Sequence, residues 1–346
     1  MICQAIQKGL GLSKPKQPES HDFKHSGLPL LTTVDWESEH YRRSIIASLV
    51  KGVYVMEDDR QNKRQGCKAL GPPWWEFFDF QLLDTLIDEV DWSIFGAVYE
   101  FKPNSNNDDY PKGAPRYVVA FRGTMLNEDT AVRDILLDIN VFLNNLHHRS
   151  RFGKAMEAVE NMVSVKGSSN IWLAGHSLGS AIAMLVGKKM AKTGNFLVSY
   201  LFNPPFVAFL FENIGSRTVK RGIDIASRLL THAMKNNQEK QPPEHLFKDL
   251  SQWVPNLFLH PADIICSGFI KYFELREKMQ SSGCIERLAT PNSLKGLLVN
   301  AFGKEFYSED LHLIPSARVT TSCSLNAHWL GQWFTDDSVS DTKVYC

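Results

Sequence analysis

The chain carries no surplus of either charge. Lys+Arg and Asp+Glu each total 38 of 346 residues, and no Lys/Arg cluster stands out, so the electrostatic footprint of a nucleic-acid or anionic-membrane binder is missing. Long apolar runs are missing too. The richest, Phe196 to Phe211, is broken by Asn203, Pro204 and Pro205 and reads as a buried strand rather than a bilayer span. Met1 to Phe23 is polar and lacks the continuous apolar core of a secretory signal. The six cysteines (Cys3, Cys67, Cys266, Cys284, Cys323, Cys346) show neither CxxC nor Cys/His ligand spacing, which argues against a metal site and for reduced thiols in the cytosol. Ile2 stands where myristoylation requires glycine, and Lys343-Val344-Tyr345-Cys346 is not a prenylation box.

What is present is the composition of a folded globular protein, 43% hydrophobic and 22% charged, with length for one large domain or two ordinary ones. The expected division is a loose lead-in over 1–35, one domain over 36–335 and a frayed tail over 336–346. Tyr41, Ile45, Ile46, Leu49, Val53 and Met56 recur at helical spacing with Arg42, Arg43 and Lys51 on the other side, an amphipathic helix. Asp58 to Gly71 reads as a loop. Trp74, Trp75, Phe77, Phe78 and Phe80 form an aromatic cluster suited to core packing, and Phe80 to Val90 resumes a helical pattern. Two strands follow, Ser93 to Phe101 and Arg116 to Phe121, joined by an Asn/Asp/Pro/Gly-rich connection. Thr130 to Leu143 and Phe152 to Val165 read as helices, Leu197 to Phe202 and Trp253 to Leu259 as strands, and Lys271 to Gln280 as a helix followed by a loop over Ser281 to Ser293. Phe206 to Lys248 is long for a connection and suits a cap or lid as well as an ordinary helical excursion. Leu311 to Thr320 reads as extended, and Asn326 to Phe334 as a last short helix.

One stretch organises these elements. Asn170 to Ala174 is a short apolar strand, Gly175-His176-Ser177-Leu178-Gly179 spells GxSxG, and Leu178 to Met190 reads as a helix rich in Ala, Leu, Met and Lys. Strand, sharp turn and helix make a nucleophile elbow, with Ser177 at the tip and small residues where strand and helix pass closely. The bland alternative is a tight turn with Ser177 as a helix cap. As a nucleophile, Ser177 would find the first oxyanion donor in the N–H of Leu178 at the helix start. Arg122-Gly123-Thr124, closing the strand before, is suited to supply the second through Thr124, and Arg122 to hold that loop by pairing with Asp134 or Asp138.

A serine hydroxyl is a poor nucleophile at neutral pH and needs a histidine base oriented by an acid. In elbow-bearing folds the order is Ser, acid, His. Asp263, just past a strand, is favoured as the acid over Asp224 and Asp249. Only His312 and His328 follow it, and His328, in a loop before the final helix, is favoured. His147 and His148 precede the nucleophile and read as surface residues, His176 as structural, and His260 as support for the Asp263 loop.

Val119-Ala120-Phe121-Arg122-Gly123-Thr124 together with Gly175-His176-Ser177-Leu178-Gly179 resembles the class 3 (fungal-type) lipases of the α/β-hydrolase fold. His40-Tyr41-Arg42-Arg43-Ser44 to Gly52-Val53-Tyr54-Val55, Phe202-Asn203-Pro204-Pro205 and Ala327-His328-Trp329-Leu330-Gly331-Gln332-Trp333 narrow the resemblance to a plant group of class 3 lipase-like proteins. Members of that group are sometimes labelled GDSL esterase/lipase, although no GDSL block stands near the N-terminus here. The resemblance covers nearly all of the chain after about residue 33. It implies a mostly parallel sheet flanked by helices with a helical insertion before the acid, and a triad of Ser177, Asp263 and His328 with Thr124 and Leu178 shaping the oxyanion hole. It also implies ester or acyl-lipid substrates, transient contact with a membrane surface and no metal or cofactor. Two departures are visible: Ser180 where many lipases have glycine, and Ile264-Ile265-Cys266 after Asp263 in place of a Pro-containing pattern. The rival expectation from another class is a lipase-like regulatory or interaction protein in which catalysis is dispensable.

Overall fold

Side chains along Ile171–His176 alternate between two different cores. Ile171 and Leu173 enter one, Trp172 and Ala174 the other, the pattern of a strand covered on both faces. The computed structural model describes residues 21–26, 28–31, 33–103, 110–125, 150–206, 250–281 and 314–345. Within them, eight strands form one sheet whose spatial order is the chain order: β1 (Phe80–Ile87), β2 (Ile94–Phe101), β3 (Tyr117–Phe121), β4 (Ile171–His176), β5 (Val198–Phe202), β6 (Asn256–Leu259), β7 (Ala317–Ser322) and β8 (Val339–Tyr345). Strands β3 to β7 run parallel. β1 and β2 at one edge and β8 at the other are antiparallel to their neighbours. This mostly parallel, helix-flanked sheet is the expected α/β-hydrolase architecture.

The order explains where the helices lie. When parallel strands are added in one direction through right-handed crossovers, the crossover helices all fall on the same face. Accordingly Ala155 and Val159 of the helix Ser150–Lys166, Ile182 and Met184 of Leu178–Lys192, and Phe269 and Phe273 of Gly268–Ser281 share one core with Leu173, Leu201, Leu257 and Val319. We call the helix that precedes the sheet α1 (Glu39–Gln61), and these three α2, α3 and α4. Because α1 comes before the sheet it is free to cover the opposite face, where Ile45, Leu49 and Val53 meet Ala97, Tyr99, Val118, Ala120 and Tyr200.

The structure differs from expectation at several elements. α1 is not amphipathic in place: Arg43 and Lys51 are buried. Its outer side is roofed by Trp74, Phe334 and Trp333, and the Arg43 guanidinium bonds the Trp333 and Thr335 carbonyls, Asp336 and the His40 ring. α1 also runs on to Gln61, through the start of the expected loop. Phe80–Ile87 is a strand rather than a helix. Apolar residues at 80, 82, 83, 86 and 87 fit both periods, and pairing with β2 decides between them. The expected frayed tail contains β8, paired with β7 from Ala317↔Tyr345 to Ser322↔Val339. Its polar sequence hid it because an exposed edge strand can carry polar side chains on both faces, here Asp341 and Lys343 on one and Ser340 and Thr342 on the other. The final helix is shorter than expected, a single 3-10 turn at Leu330–Trp333.

The aromatic cluster is core at Trp74, Trp75, Phe78 and Phe80 and half-exposed at Phe77. Thr130 to Leu143, nearly all of Phe206 to Lys248 and of Ser281 to Ser293, and Asp134, Asp138, His147, His148, Asp224, Asp249 and His312 lie outside the described residues. Among the described residues, no helix is long and apolar enough to cross a membrane, and no His, Cys, Asp and Glu grouping could hold a metal ion.

Candidate active site

Five parallel strands end along one edge of the sheet, and each is followed within a few residues by a candidate side chain: Thr124 after β3, Ser177 after β4, Asn203 after β5, Asp263 after β6 and His328 after β7. The carboxyl edge of a parallel sheet is where such folds place their ligand sites. Ser177 is the hinge between β4 and α3, with φ 53° and ψ −123°, a backbone region uncommon outside glycine and costing about 1–3 kcal/mol. The turn is possible because its flanks carry no side chains. A Cβ on Gly175 would run into the carbonyl of Gly179, and one on Gly179 into the carbonyls of Phe121 and Arg122. The Ser177 N–H donates to Phe202 O at 2.9 Å. Ser180, where glycine is usual, has its hydroxyl between Gly175 O (2.6 Å) and Phe202 O (2.8 Å) and ties the elbow to β5.

His328 faces this hydroxyl. Its Nε2 is 3.0 Å from Ser177 Oγ and its Nδ1 is 2.8 Å from Asp263 Oδ2. The structure thus joins Ser177, His328 and Asp263 into one hydrogen-bonded chain. Gly123 packs against it: a Cβ there would lie 2.9 Å from both Ser177 Cβ and His176 O. Thr124 comes next in the chain, and Leu178 opens α3 beside the serine.

The family model described as Lipase (class 3) matches residues 118–211, from β3 through the elbow to just past β5. A protein of Arabidopsis thaliana named GDSL esterase/lipase is 42% identical over 349 residues, covering 94% of this chain and 98% of its own. The chain belongs to the plant class 3 lipase-like proteins. Among solved structures, a lipase from Rhizopus microsporus var. chinensis is similar at 13% identity over 66% of this chain and 68% of its own, with a TM-score of 0.32. An esterase from Pyrobaculum calidifontis is similar at 14% identity over 73% and 83%, with a TM-score of 0.30. Neither likeness adds to what the strand order already establishes.

In this lipase-like protein Asp263 is buried and well supplied with donors. Asp263 Oδ1 accepts the Ile265 N–H at 3.0 Å, and Oδ2 accepts from Asn203 Nδ2 at 2.7 Å and from the Cys266 thiol at 3.2 Å. Burial pushes its pKa up, but the His328 ring, the Asn203 amide and the Ile265 N–H outweigh burial, and the carboxyl falls below its usual range. The Ile264-Ile265-Cys266 departure thus supplies two of the donors. Burial pushes the Cys266 thiol well up, with the Asp263 charge adding to it, so this sulfur serves as a neutral donor. His260 supports the same loop: its Nδ1 accepts the Ala262 N–H at 3.0 Å, and its Nε2 bonds Ser324 O at 2.8 Å.

His176 does more than fill space. Its Nδ1 is 2.8 Å from the Tyr54 hydroxyl and its Nε2 is 3.1 Å from His328 O. The Gly123 N–H donates to Tyr54 Oη at 2.7 Å. The partners fix every proton: the His328 carbonyl can only accept, so Nε2 carries the hydrogen, and Tyr54 donates to the bare Nδ1. The Arg122 guanidinium donates to Ile94 O at 2.6 Å and to Gly123 O at 2.7 Å; the aspartates expected to pair with it, Asp134 and Asp138, lie outside the described residues. The Gly123 residue is therefore pinned through both its N–H and its carbonyl. Sequence reasoning missed Tyr54, Gln332 and the role of Asn203. The sole trace was that Tyr54, Asn203 and Gln332 fall inside the segments that carried the family resemblance.

Proposed function

We propose that this protein hydrolyses carboxylic esters of acyl lipids through an acyl-enzyme formed on Ser177. In this reading His328 Nε2 takes the Ser177 proton as Oγ attacks the carbonyl carbon. The N–H groups of Thr124 and Leu178 receive the oxyanion, the Gly123 N–H being already committed to Tyr54. Collapse breaks the bond to the alkoxy oxygen, which leaves with the proton from His328. Water then attacks the acyl-enzyme, His328 again taking and returning a proton, and the carboxylic acid departs. Asp263 holds His328 with Nδ1 protonated and stabilises the imidazolium.

The observation that carries this reading is the chain Ser177 Oγ, His328 Nε2, His328 Nδ1, Asp263 Oδ2, with links of 3.0 and 2.8 Å. Membership of the lipase-like family supports the acyl-lipid substrate class. Labelling with a fluorophosphonate probe and hydrolysis of p-nitrophenyl esters of graded chain length test it together. Wild type should be labelled and Ser177→Ala should not, with kcat falling about 10⁴-fold or more. Turnover that survives Ser177→Ala defeats the assignment, and a folded wild type that takes no label favours the non-catalytic interaction protein.

A further inference from the structure

Asn203 bonds Asp263 and the carbonyl of Ala327 that immediately precedes His328, yet the proposed chemistry gives it nothing to do. It is the first residue past β5, fully buried, and holds φ 47°, a left-handed backbone that asparagine tolerates better than other side-chain-bearing residues. All the bonding capacity of its amide hydrogens is used. Nδ2 donates to Asp263 Oδ2 at 2.7 Å and to Ala327 O at 3.0 Å, while Oδ1 accepts the Trp333 indole N–H at 2.9 Å. An indole nitrogen can only donate, so the amide oxygen must face Trp333 and its NH₂ must face the carboxylate. The backbone is anchored as well, its N–H donating to Phe258 O at 2.8 Å.

We propose that Asn203 is a positioning residue that sets the acid and the base against each other, bracketing the loop after β6 and the loop after β7 from the end of β5. The inference rests on the triad reading above. Apart from its bond to the His328 ring itself, Asp263 is otherwise held by donors from its own loop, Ile265 and Cys266. Those bonds fix the carboxylate relative to β6 but not relative to His328. Ala327 O immediately precedes His328, so one amide group reaches the acid and the backbone of the base together. No other side chain of similar size serves. Aspartate would lose both donors and set two carboxylates face to face, and glycine would accept the backbone but bridge nothing. Asn203 also lowers the Asp263 pKa, so its loss returns that carboxyl toward protonation at higher pH.

The test compares wild type, Asn203→Gly, Asn203→Asp and Ser177→Ala in hydrolysis of p-nitrophenyl acetate across pH, with thermal melting to establish folding. Glycine accepts φ 47° without strain, and aspartate keeps the side-chain volume should the glycine variant fail to fold. The expected result is a fall in kcat of about 10- to 100-fold with KM changed by about twofold or less, and an acid limb of kcat/KM raised by about half a pH unit or more, further for aspartate than for glycine. A kcat within about twofold of wild type in the folded variants, or a loss shared with KM and no movement of the acid limb, overturns the proposal while inactivity of Ser177→Ala leaves the triad reading intact. Activity in Ser177→Ala would instead remove the triad reading and this inference with it.

Discussion

Ser177 and His328 lie 3.0 Å apart but are held by opposite means. The serine stands where a strand becomes a helix, and backbone sets its place: β4 is paired on both sides, and glycines let three segments of main chain approach where no side chain would fit. The histidine stands in a stretch of turns and bends between β7 and the 3-10 turn Leu330–Trp333. There, three successive carbonyls are held by side chains: Ala327 O by Asn203 and by Gln332 of the adjoining turn, His328 O by His176, and Trp329 O by Gln332. One half of the site is therefore intolerant of added atoms, and the other of lost donors.

Adding a methyl group to each half should separate them most widely. In Gly179→Ala the new Cβ meets the carbonyls of Phe121 and Arg122, and β3 cannot retreat without giving up its register with β4. A loss on the order of 3 kcal/mol or more is expected, or no folded protein. In Gly331→Ala the three atoms nearest the new Cβ all belong to the ring of Trp329, a side chain that can swing, and the loss should stay near 1 kcal/mol. Urea unfolding of the two variants measures the gap. Equal losses would erase the distinction between the halves.

Removing a donor should reverse the ranking on activity. Gln332→Ala strips Ala327 O and Trp329 O of a shared amide and leaves the main chain around His328 less constrained, so kcat should fall about 10-fold. In the elbow, Ser180→Ala removes a hydroxyl that bridges Gly175 O and Phe202 O. It should cost about 1 kcal/mol of stability and leave kcat within about twofold of wild type, because the crowded backbone still fixes Ser177. Steady-state kinetics beside unfolding curves checks both.

The same contrast governs what could be read from the chain alone. The elbow announces itself because its physics is local: an apolar run, two glycines two residues either side of a serine, and a helix-forming segment in one unbroken stretch. Asp263 and His328 could be ranked by chain order and by their place after strands, and the structure brings that pair to the serine. Most of the supports are hidden because they act across a long separation, Gln332 being the exception at three and five residues from the carbonyls it holds. Tyr54 sits on a helix that precedes the whole sheet, and its hydroxyl reads as one more core aromatic until His176 and Gly123 are seen beside it. Arg43 reads as part of a solvated face because nothing local says that the Trp333 and Thr335 carbonyls, nearly three hundred residues on, will take up its guanidinium. β1 was misread where two periodicities coincide, and β8 where an edge strand needs no apolar face.

His176 belongs to both halves, and it yields the finest test. It lies in the elbow, but its Nε2–H secures the His328 carbonyl while its bare Nδ1 accepts from Tyr54. Burial pushes its pKa well below the ordinary 6.5, the nearby His328 adds to this, and the bond to His328 O only partly opposes them. As the pH falls through about 6.5, the unfolded chain takes up a proton at this position and the folded chain does not. Stability contributed by the neutral ring is therefore complete above pH 6.5 and is lost as the pH drops, by about 1 kcal/mol between pH 6.5 and 5.5. In His176→Asn that slope should disappear, whatever constant loss the missing bonds impose. His40 and His260, whose pKa values burial also lowers, contribute to both proteins and cancel in the difference. Urea unfolding at pH 7.5, 6.5 and 5.5 should show the gap between wild type and variant narrowing by about 1 kcal/mol over the last step. A gap that stays constant would mean that His176 accepts a proton within the fold, and that it cannot be the fixed neutral link between the backbone-built half of the site and the half that side chains hold.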